Sequence, residues 1–170
     1  MGGYNFAREL RNGVRADDKK HVVTLNEYEM ALIELVTRDK LRVEEMRGIV
    51  HRVSDFEKRR DGFAAELAFC KLFNVYRDFG MQYTGYDVVI GDERKTVDIK
   101  QTNYNDGKLI VDVDANPCDL YALMVGQGRT FCFRGGISGR LLFSALNIET
   151  LNGKRYYAAA QSRLSMTLTF

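Results

Sequence analysis

The segment that most constrains how this chain folds is a predicted β-hairpin that begins at Asp87. Two β-rich runs, residues 88–90 and 96–99, flank four residues with turn chemistry. With that turn, Asp87 lies directly across from Asp98, and strand alternation places Lys100 on the same face. The apolar side chains fall on the opposite face, which we expect to pack against the core: Val88, Ile90, Val97 and Ile99.

Two aspartates directly opposite each other on a sheet require a compensating charge. Like charges at such positions destabilise the pairing, since their β-carbons are only about 5 Å apart. A bound divalent cation would offset the repulsion, because carboxylate oxygens are the natural ligands of Mg²⁺ and Mn²⁺. The alternative is an exposed polar face on an edge hairpin. A three-residue turn would change the register and separate the two aspartates.

The composition is that of an ordinary globular domain. A chain of 170 residues can bury a substantial core, and 45% hydrophobic with 28% charged residues is typical of soluble proteins. The net charge is only +2, so any surface that binds nucleic acid must be local. The three cysteines lack the spacing of a disulfide framework or a zinc site, which favours a reducing, cytoplasmic compartment. No apolar run is as long as a membrane span.

The sequence divides into an arm and one domain. Residues 1–23 have few apolar anchors, and we expect a mobile or partly helical arm there. Residues 24–170 are predicted to form a single domain. It comprises a helical N-terminal part at residues 24–60, a core at about residues 61–134, and C-terminal elements at residues 135–170.

The N-terminal part of this domain is predicted to be helical through residues 24–53, with a break near Asp39. Either Thr24 or Asn26 can cap its start. Acidic residues follow in the first turn, where the helix dipole favours them. Apolar residues then recur at helical spacing: Tyr28, Leu32, Leu35 and Val36.

A second amphipathic helix is predicted at residues 61–73, with Asp61 as its cap. Glu66 interrupts this mostly apolar segment. A carboxylate with so few polar neighbours is costly to bury unless it is paired or bound to a metal. The alternative for Glu66 is a salt bridge to a nearby arginine.

A basic run precedes this helix. Its members are Arg52, Lys58, Arg59 and Arg60, together with Arg47. Such a run usually forms a solvated face. The other possibility is contact with the phosphates of a nucleic acid, which arginine and lysine neutralise beside a cleft.

Further strands are predicted after the hairpin. Residues 108–113 form a third strand, residues 120–125 read as a strand buried on both faces, and residues 129–134 form the next strand. The glycines that follow predict a flexible connection, and residues 156–159 predict an edge strand.

The order of these elements resembles the PD-(D/E)XK nuclease superfamily. A helix with Glu66, a strand with Asp87, and a return strand with Asp98-Ile99-Lys100 match its motif over residues 61–134. One departure is that Tyr86, rather than proline, precedes the first aspartate. The resemblance implies a restriction-endonuclease-like or Holliday-junction-resolvase-like core, α-β-β-β-α-β, with a mixed central sheet flanked by helices and an N-terminal helical extension.

The resemblance also implies roles for individual residues. Asp87, Asp98, the backbone carbonyl of Ile99, and Glu66 would hold Mg²⁺ or Mn²⁺. Lys100 would position or deprotonate the attacking water and balance the developing negative charge. Gln101, together with the basic run, would contact the nucleic acid, although strand alternation points Gln101 away from Lys100.

The function that follows from this resemblance is a metal-dependent phosphodiester hydrolase. We expect a DNA endonuclease of restriction, resolvase or phage type that acts on double-stranded or branched DNA. Symmetric cutting of both strands by so small a chain would require a homodimer. The alternatives are a nucleic-acid-binding protein that keeps the fold without catalysis, and a structural or assembly protein.

Overall fold

The computed structural model describes residues 21–49, 53–76 and 85–168, which are arranged in three layers. Helices cover one face of a five-stranded sheet, and a three-stranded sheet covers the other. The protein is therefore of the mixed α/β class, as predicted. Residues 1–20 of the predicted arm lie outside the described residues. Its last residues belong to the fold, since β1 (Val22–Thr24) is a strand that the sequence did not predict.

Helix α1 (Glu27–Met46) begins at a capping box. The Asn26 side chain accepts a hydrogen bond from the Glu29 amide at 2.9 Å, and the Glu29 carboxylate accepts one from the Asn26 amide at 2.6 Å. Asn26 is thus the cap, one of the two predicted. The predicted break near Asp39 is wrong, because the segment contains no glycine or proline and the helix continues until Gly48 turns it at φ +81°.

Helix α2 (Val53–Phe73) begins well before Asp61, where the sequence predicted its start. Asp61 lies inside the helix, and its carboxylate accepts hydrogen bonds from Arg60 at 3.2 Å and from the Gly128 amide at 3.3 Å. Three members of the basic run, Lys58, Arg59 and Arg60, therefore lie within α2 rather than before it, whereas Arg47 is the C-cap of α1. Small, fully buried side chains let α2 approach the sheet closely: Ala64, Ala65 and Ala68.

The five-stranded sheet contains β1 together with β2 (Val88–Ile90), β3 (Lys95–Thr102), β5 (Leu120–Gln127) and β6 (Thr130–Ser138). The order of its strands is β2-β3-β5-β6-β1. β3 and β5 are parallel, and the other neighbouring pairs are antiparallel. A parallel pair requires a long crossover between its strands. In this chain the crossover includes β4 (Leu109–Asp112), which leaves the main sheet.

The second sheet combines β4 with β7 (Ile148–Leu151) and β8 (Lys154–Ala159). The order of its strands is β4-β8-β7. The predicted third strand therefore exists but does not join the hairpin sheet. The prediction of an edge strand at residues 156–159 is wrong, because β8 lies between two partners. Between β4 and β5 the described chain forms turns and no α-helix, which differs from an α-β-β-β-α-β order.

Strand β5 is buried on both faces, as its continuous apolar run predicted. Ala122 and Met124 belong to the core beneath the helices, whereas Tyr121, Leu123 and Val125 belong to the core beneath the second sheet. Alternation along the strand divides these side chains between the two cores. β5 is thus the central strand of the three-layer arrangement.

The glycines predicted as a flexible connection are part of β6 instead. Gly135 and Gly136 pair with β5, where the register shifts between Leu123 and Met124. A Cβ on Gly135 would lie 2.8 Å from the backbone carbonyl oxygen of Ser165, and the residue has φ +113°, so the close approach of the C-terminal segment requires glycine there. The short helix α3 (Gly139–Leu142) follows directly. No helix among the described residues has both the length and the apolar character to cross a membrane.

Candidate functional site

The hairpin that begins the site has the predicted register. Val88 pairs with Val97 and Ile90 with Lys95, and the four predicted apolar residues lie in the core beneath the helices. Asp87 differs from the prediction, because it lies just before β2 rather than within the ladder. Its amide donates to the Val97 carbonyl at 2.9 Å. Asp87 is therefore held at the end of the hairpin and is not a regular cross-strand partner of Asp98.

The Asp87 carboxylate is anchored to the return strand. Its Oδ2 accepts a hydrogen bond from the Ile99 amide at 2.6 Å. Asp98 and Lys100 lie two residues apart on β3, and the Lys100 ammonium is 2.7 Å from Oδ1 of Asp98. Asp98 is 8% exposed. Since residues two apart on a strand share a face, this pair follows from the sequence alternation. The hairpin thus presents two held carboxylates and one ammonium group.

Glu66 reaches the same place from helix α2. Burial, followed by the negative charges of Glu66 and then Asp98, raises the pKa of Asp87 to about 8. The Ile99 amide and the charge of Lys100 act in the opposite direction but do not cancel the effect. The charges of Glu66 and Asp98 therefore both act on Asp87, which places the three predicted acids near one another.

A cleft of about 600 Å³ surrounds these groups. Helix α2 contributes one face of residues spaced by three and four positions, which is the spacing of neighbours on a helix surface. The lining residues are Lys40 and Glu44 from α1; Arg59, Gly62, Phe63 and Glu66 from α2; residues 85–87; Asp98 and Lys100 from β3; and residues 114–116. All four predicted catalytic side chains are among them.

Two cations in the cleft come from the helices. The Lys40 ammonium lies 4.6 Å from the centroid of the Phe63 ring, a cation–π contact. Arg59 donates to the Glu44 carboxylate at 2.8 Å. The sequence did not point to Lys40, because it lies on α1, far along the chain from the hairpin. Only the packing of α1 on α2 brings it to the cleft.

The other predicted nucleic-acid-binding residues have different positions. Arg52 lies outside the described residues. Lys58 is exposed at the beginning of α2, and Arg60 is paired with Asp61. The Gln101 amide donates to the Gly126 carbonyl at 2.6 Å and does not line the cleft. Of the described members of this predicted group, only Arg59 lines the cleft.

The wall opposite α2 is the loop between β4 and β5. The Tyr121 hydroxyl donates to the Asn116 carbonyl at 3.1 Å and accepts a hydrogen bond from the Cys118 amide at 3.0 Å. Burial, followed by the charge of Asp98, raises the pKa of the Cys118 thiol to about 11. The thiol is therefore neutral, and the loop carries structural rather than nucleophilic groups toward the acids.

The residues at the cleft suit a divalent cation in chemistry and in charge. Carboxylate oxygens are the ligands of hard cations. The pKa of Asp87 is raised by burial first and then by the negative charges of Glu66 and Asp98, and a cation would offset those charges. The arrangement itself is not that of a formed metal site. Among the described residues, no three Asp, Glu, His or Cys side chains are grouped so that they could hold a metal ion. Asp98 faces Lys100 instead, and Asp87 faces the Ile99 amide.

Fold and site together define a three-layer α/β protein with an acidic, lysine-containing cleft at the end of a hairpin. The chain belongs to DUF5843, a family of unknown function, whose model matches residues 21–128. That match spans α1, α2, the hairpin and β5, and hence every predicted catalytic residue. No curated protein and no solved structure matches the chain significantly.

Proposed function

We propose that this protein is a metal-dependent nuclease that hydrolyses phosphodiester bonds in DNA, related to the PD-(D/E)XK nucleases. The observation that carries the proposal is the meeting of three carboxylates from separate elements with one lysine in a single cleft. Glu66 comes from α2, Asp87 from the start of the hairpin, and Asp98 from the return strand. A structural ion pair between Asp98 and Lys100 would need neither Glu66 nor Asp87 nearby.

The residues that would hold Mg²⁺ or Mn²⁺ are Asp87, Asp98 and Glu66, with the Ile99 backbone carbonyl. When bound, the ion would supply a lowered pKa for a water molecule and stabilisation of charge on phosphoryl oxygens. Binding would require the Asp98 carboxylate to turn from Lys100 and Asp87 to lose its proton. Both changes are local side-chain events, since the backbone of β3 is fixed by its partners on both sides.

Lys100 would act on the reacting groups directly. Released from Asp98, its ammonium would lie beside the attacked phosphate, where it can orient a water molecule, exchange a proton with it, and neutralise developing charge. Lys40 and Arg59 would hold the phosphates that flank the scissile one. Lys58, the residue before Arg59 on α2, is exposed and would add a further phosphate contact. The cleft therefore pairs an acidic centre with cationic flanks, which suits a phosphodiester backbone.

A second function is favoured by one observation. Because the described acids do not form a ready group of metal ligands, a nucleic-acid-binding protein without catalysis would use the same cations and leave Asp98 paired with Lys100. Such a protein would retain DNA in a salt-sensitive manner and would not cleave it. A structural or assembly protein would do neither.

The experiment that tests the proposal is incubation of the purified chain with supercoiled, linear, single-stranded and four-way-junction DNA in the presence of Mn²⁺ or Mg²⁺. We expect cleavage that chelation stops and that Asp98→Ala and Lys100→Ala abolish. Matched controls are Asp106→Ala and Lys154→Ala, which alter exposed residues away from the cleft. DNA binding without cleavage would replace the nuclease proposal with the binding function. The absence of both binding and cleavage would refute both functions.

A further inference from the structure

Helix α1 carries an apolar stripe that the described part of the fold leaves exposed. The inner face of the helix buries Ile33 and Thr37, whereas the outer face exposes Tyr28 at 87%, Leu35 at 58% and Met46 at 80%. Leu32 is 41% exposed on the same side. Scattered exposed apolar residues are ordinary, but a row of them along one helix is typical of an interaction surface.

The spacing of this outer face is that of a helix–helix seam. Successive members lie four and three residues apart in alternation: Tyr28, Leu32, Leu35, Asp39, Arg42 and Met46. That repeat is the one by which two helices pack side by side along their length. The stripe includes two charges of opposite sign, Asp39 and Arg42, both exposed. No residue in the described ranges forms an ion pair with either of them.

We propose that the outer stripe of α1 binds the same stripe of a second copy of this chain, with the two helices antiparallel. A two-fold axis between residues 40 and 41 sets Asp39 against the partner's Arg42, and the symmetry repeats this pair. The same register sets Leu35 against the partner's Met46. In this register opposite charges face each other and apolar side chains face each other, so the stripe is complementary to itself.

Other registers are less favourable. An antiparallel shift by one heptad sets Leu35 against Asp39 and Leu32 against Arg42, which removes water from charges without pairing them. A parallel arrangement sets Asp39 against Asp39 and Arg42 against Arg42, which repels at both positions. Charge complementarity therefore selects a single register. The inference does not depend on the proposed nuclease activity, since no residue of the stripe lines the cleft.

The interface would be modest in size. Helix α1 has 20 residues, and a helix of that length is about 30 Å long. Contact along one helix buries less than the roughly 800 Å² per partner of a standard stable interface. We therefore expect a dimer that dissociates on dilution and that high salt weakens, because salt screens the attraction between Asp39 and Arg42.

Sedimentation equilibrium of the full chain over a range of concentrations tests the proposal with a charge swap. Asp39→Arg or Arg42→Asp alone creates like-charge contacts in the homodimer, and each should weaken dimerisation by about tenfold or more. An equimolar mixture of the two variants should restore it. In the mixed dimer the two introduced charges face each other, and the native Arg42 faces the native Asp39.

Two further variants separate dimerisation from folding. Leu35→Ser should shift the chain toward the monomer without altering its circular dichroism spectrum, whereas Leu146→Ser, at an exposed leucine far from α1, should leave the dimer unchanged. A wild-type monomer at every soluble concentration would overturn the proposal, and so would a dimer indifferent to the charge swap. If residues 1–20 covered the stripe within one chain, the wild type would be monomeric and Leu35→Ser would lower its melting temperature. That result would also overturn the dimer proposal.

Discussion

The Lys100 ammonium lies 2.7 Å from the carboxylate of Asp98, two residues earlier on the same strand. Both side chains border the cleft, but Asp98 is largely buried whereas Lys100 is partly exposed. Lys100 therefore offsets the charge of an aspartate that is only 8% exposed. The pair links the stability of β3 to the chemistry of the site, because any cation that takes over Asp98 must displace Lys100.

Replacing Lys100 with Met should lower the free energy of unfolding by about 1–3 kcal/mol, because it leaves Asp98 without its counter-charge. Asp98→Asn should cost less, since a neutral amide tolerates burial better. The double variant should be more stable than the sum of the two single effects predicts. Urea denaturation of the three variants measures this coupling, and strictly additive losses would show that the pair contributes nothing.

The raised pKa of Asp87 predicts a pH dependence of stability. The folded state keeps this proton up to about pH 8, whereas an unfolded chain releases it near about pH 3.9. The stabilising contribution of Asp87 is therefore complete below the unfolded pKa and is lost as the pH rises through about 8.

Asp87→Asn should flatten that dependence. The variant should match the wild type near pH 4 and exceed its free energy of unfolding at pH 8, with a wild-type slope of at most about 1.4 kcal/mol per pH unit from this group. Chemical denaturation at several pH values measures the difference. Asp106→Asn, at an exposed loop position, is the control and should keep the wild-type slope. A parallel slope in Asp87→Asn would contradict the prediction.

Mn²⁺ binding should release a proton and strengthen with pH. Because Asp87 holds a proton at neutral pH, a cation must displace it, and the apparent affinity should rise by up to about tenfold per pH unit below pH 8. Calorimetry in buffers of different ionisation enthalpy measures the released protons. Asp98→Asn should weaken binding at every pH. An affinity that does not change between pH 6 and pH 8 would count against Asp87 as a ligand.

Lys40 should contact DNA phosphate although it lies on α1. Lys40→Gln should weaken DNA binding similarly for all sequences and reduce the slope of log affinity against log salt by about one contact. Fluorescence anisotropy at several salt concentrations measures both quantities. Lys154→Gln, on the second sheet, is the matched control and should leave the slope unchanged. Equal effects of the two substitutions would mean that the cleft is not the DNA-binding surface.

The elements that the sequence predicted correctly depend on local chemistry. Asn26 caps α1 because its side chain reaches an amide three residues away, and the hairpin register follows from the turn between β2 and β3. The continuous apolar run of β5 predicted a strand buried on both faces, and β5 lies between the two cores. Predictions failed where a long-range contact decides. Residues 108–113 form a strand, but only pairing with β8 places that strand in a second sheet.

The candidate site divides in the same way. The alternation of Asp98 and Lys100 on one strand brings the two together, and the isolation of Glu66 among apolar residues marked it in the sequence. The contributions of Lys40, Asn116 and Tyr121 carried no such signal, because each lies on an element whose distance from the hairpin is set by packing. The outward position of Leu35 was also hidden, since helical spacing identifies a stripe but not what covers it.

The sequence by itself determined the helices, the hairpin and the pairing of an aspartate with a lysine on one strand, since these depend on neighbours a few residues apart. Only the tertiary structure decided that β4 leaves the main sheet, that Asp87 stands at the end of the ladder, and that α1 borders the cleft. The physical reason is that burial and electrostatic fields depend on distance in space. Asp87 acquires its raised pKa from burial first, and then from the charges of Glu66 on α2 and Asp98 on β3.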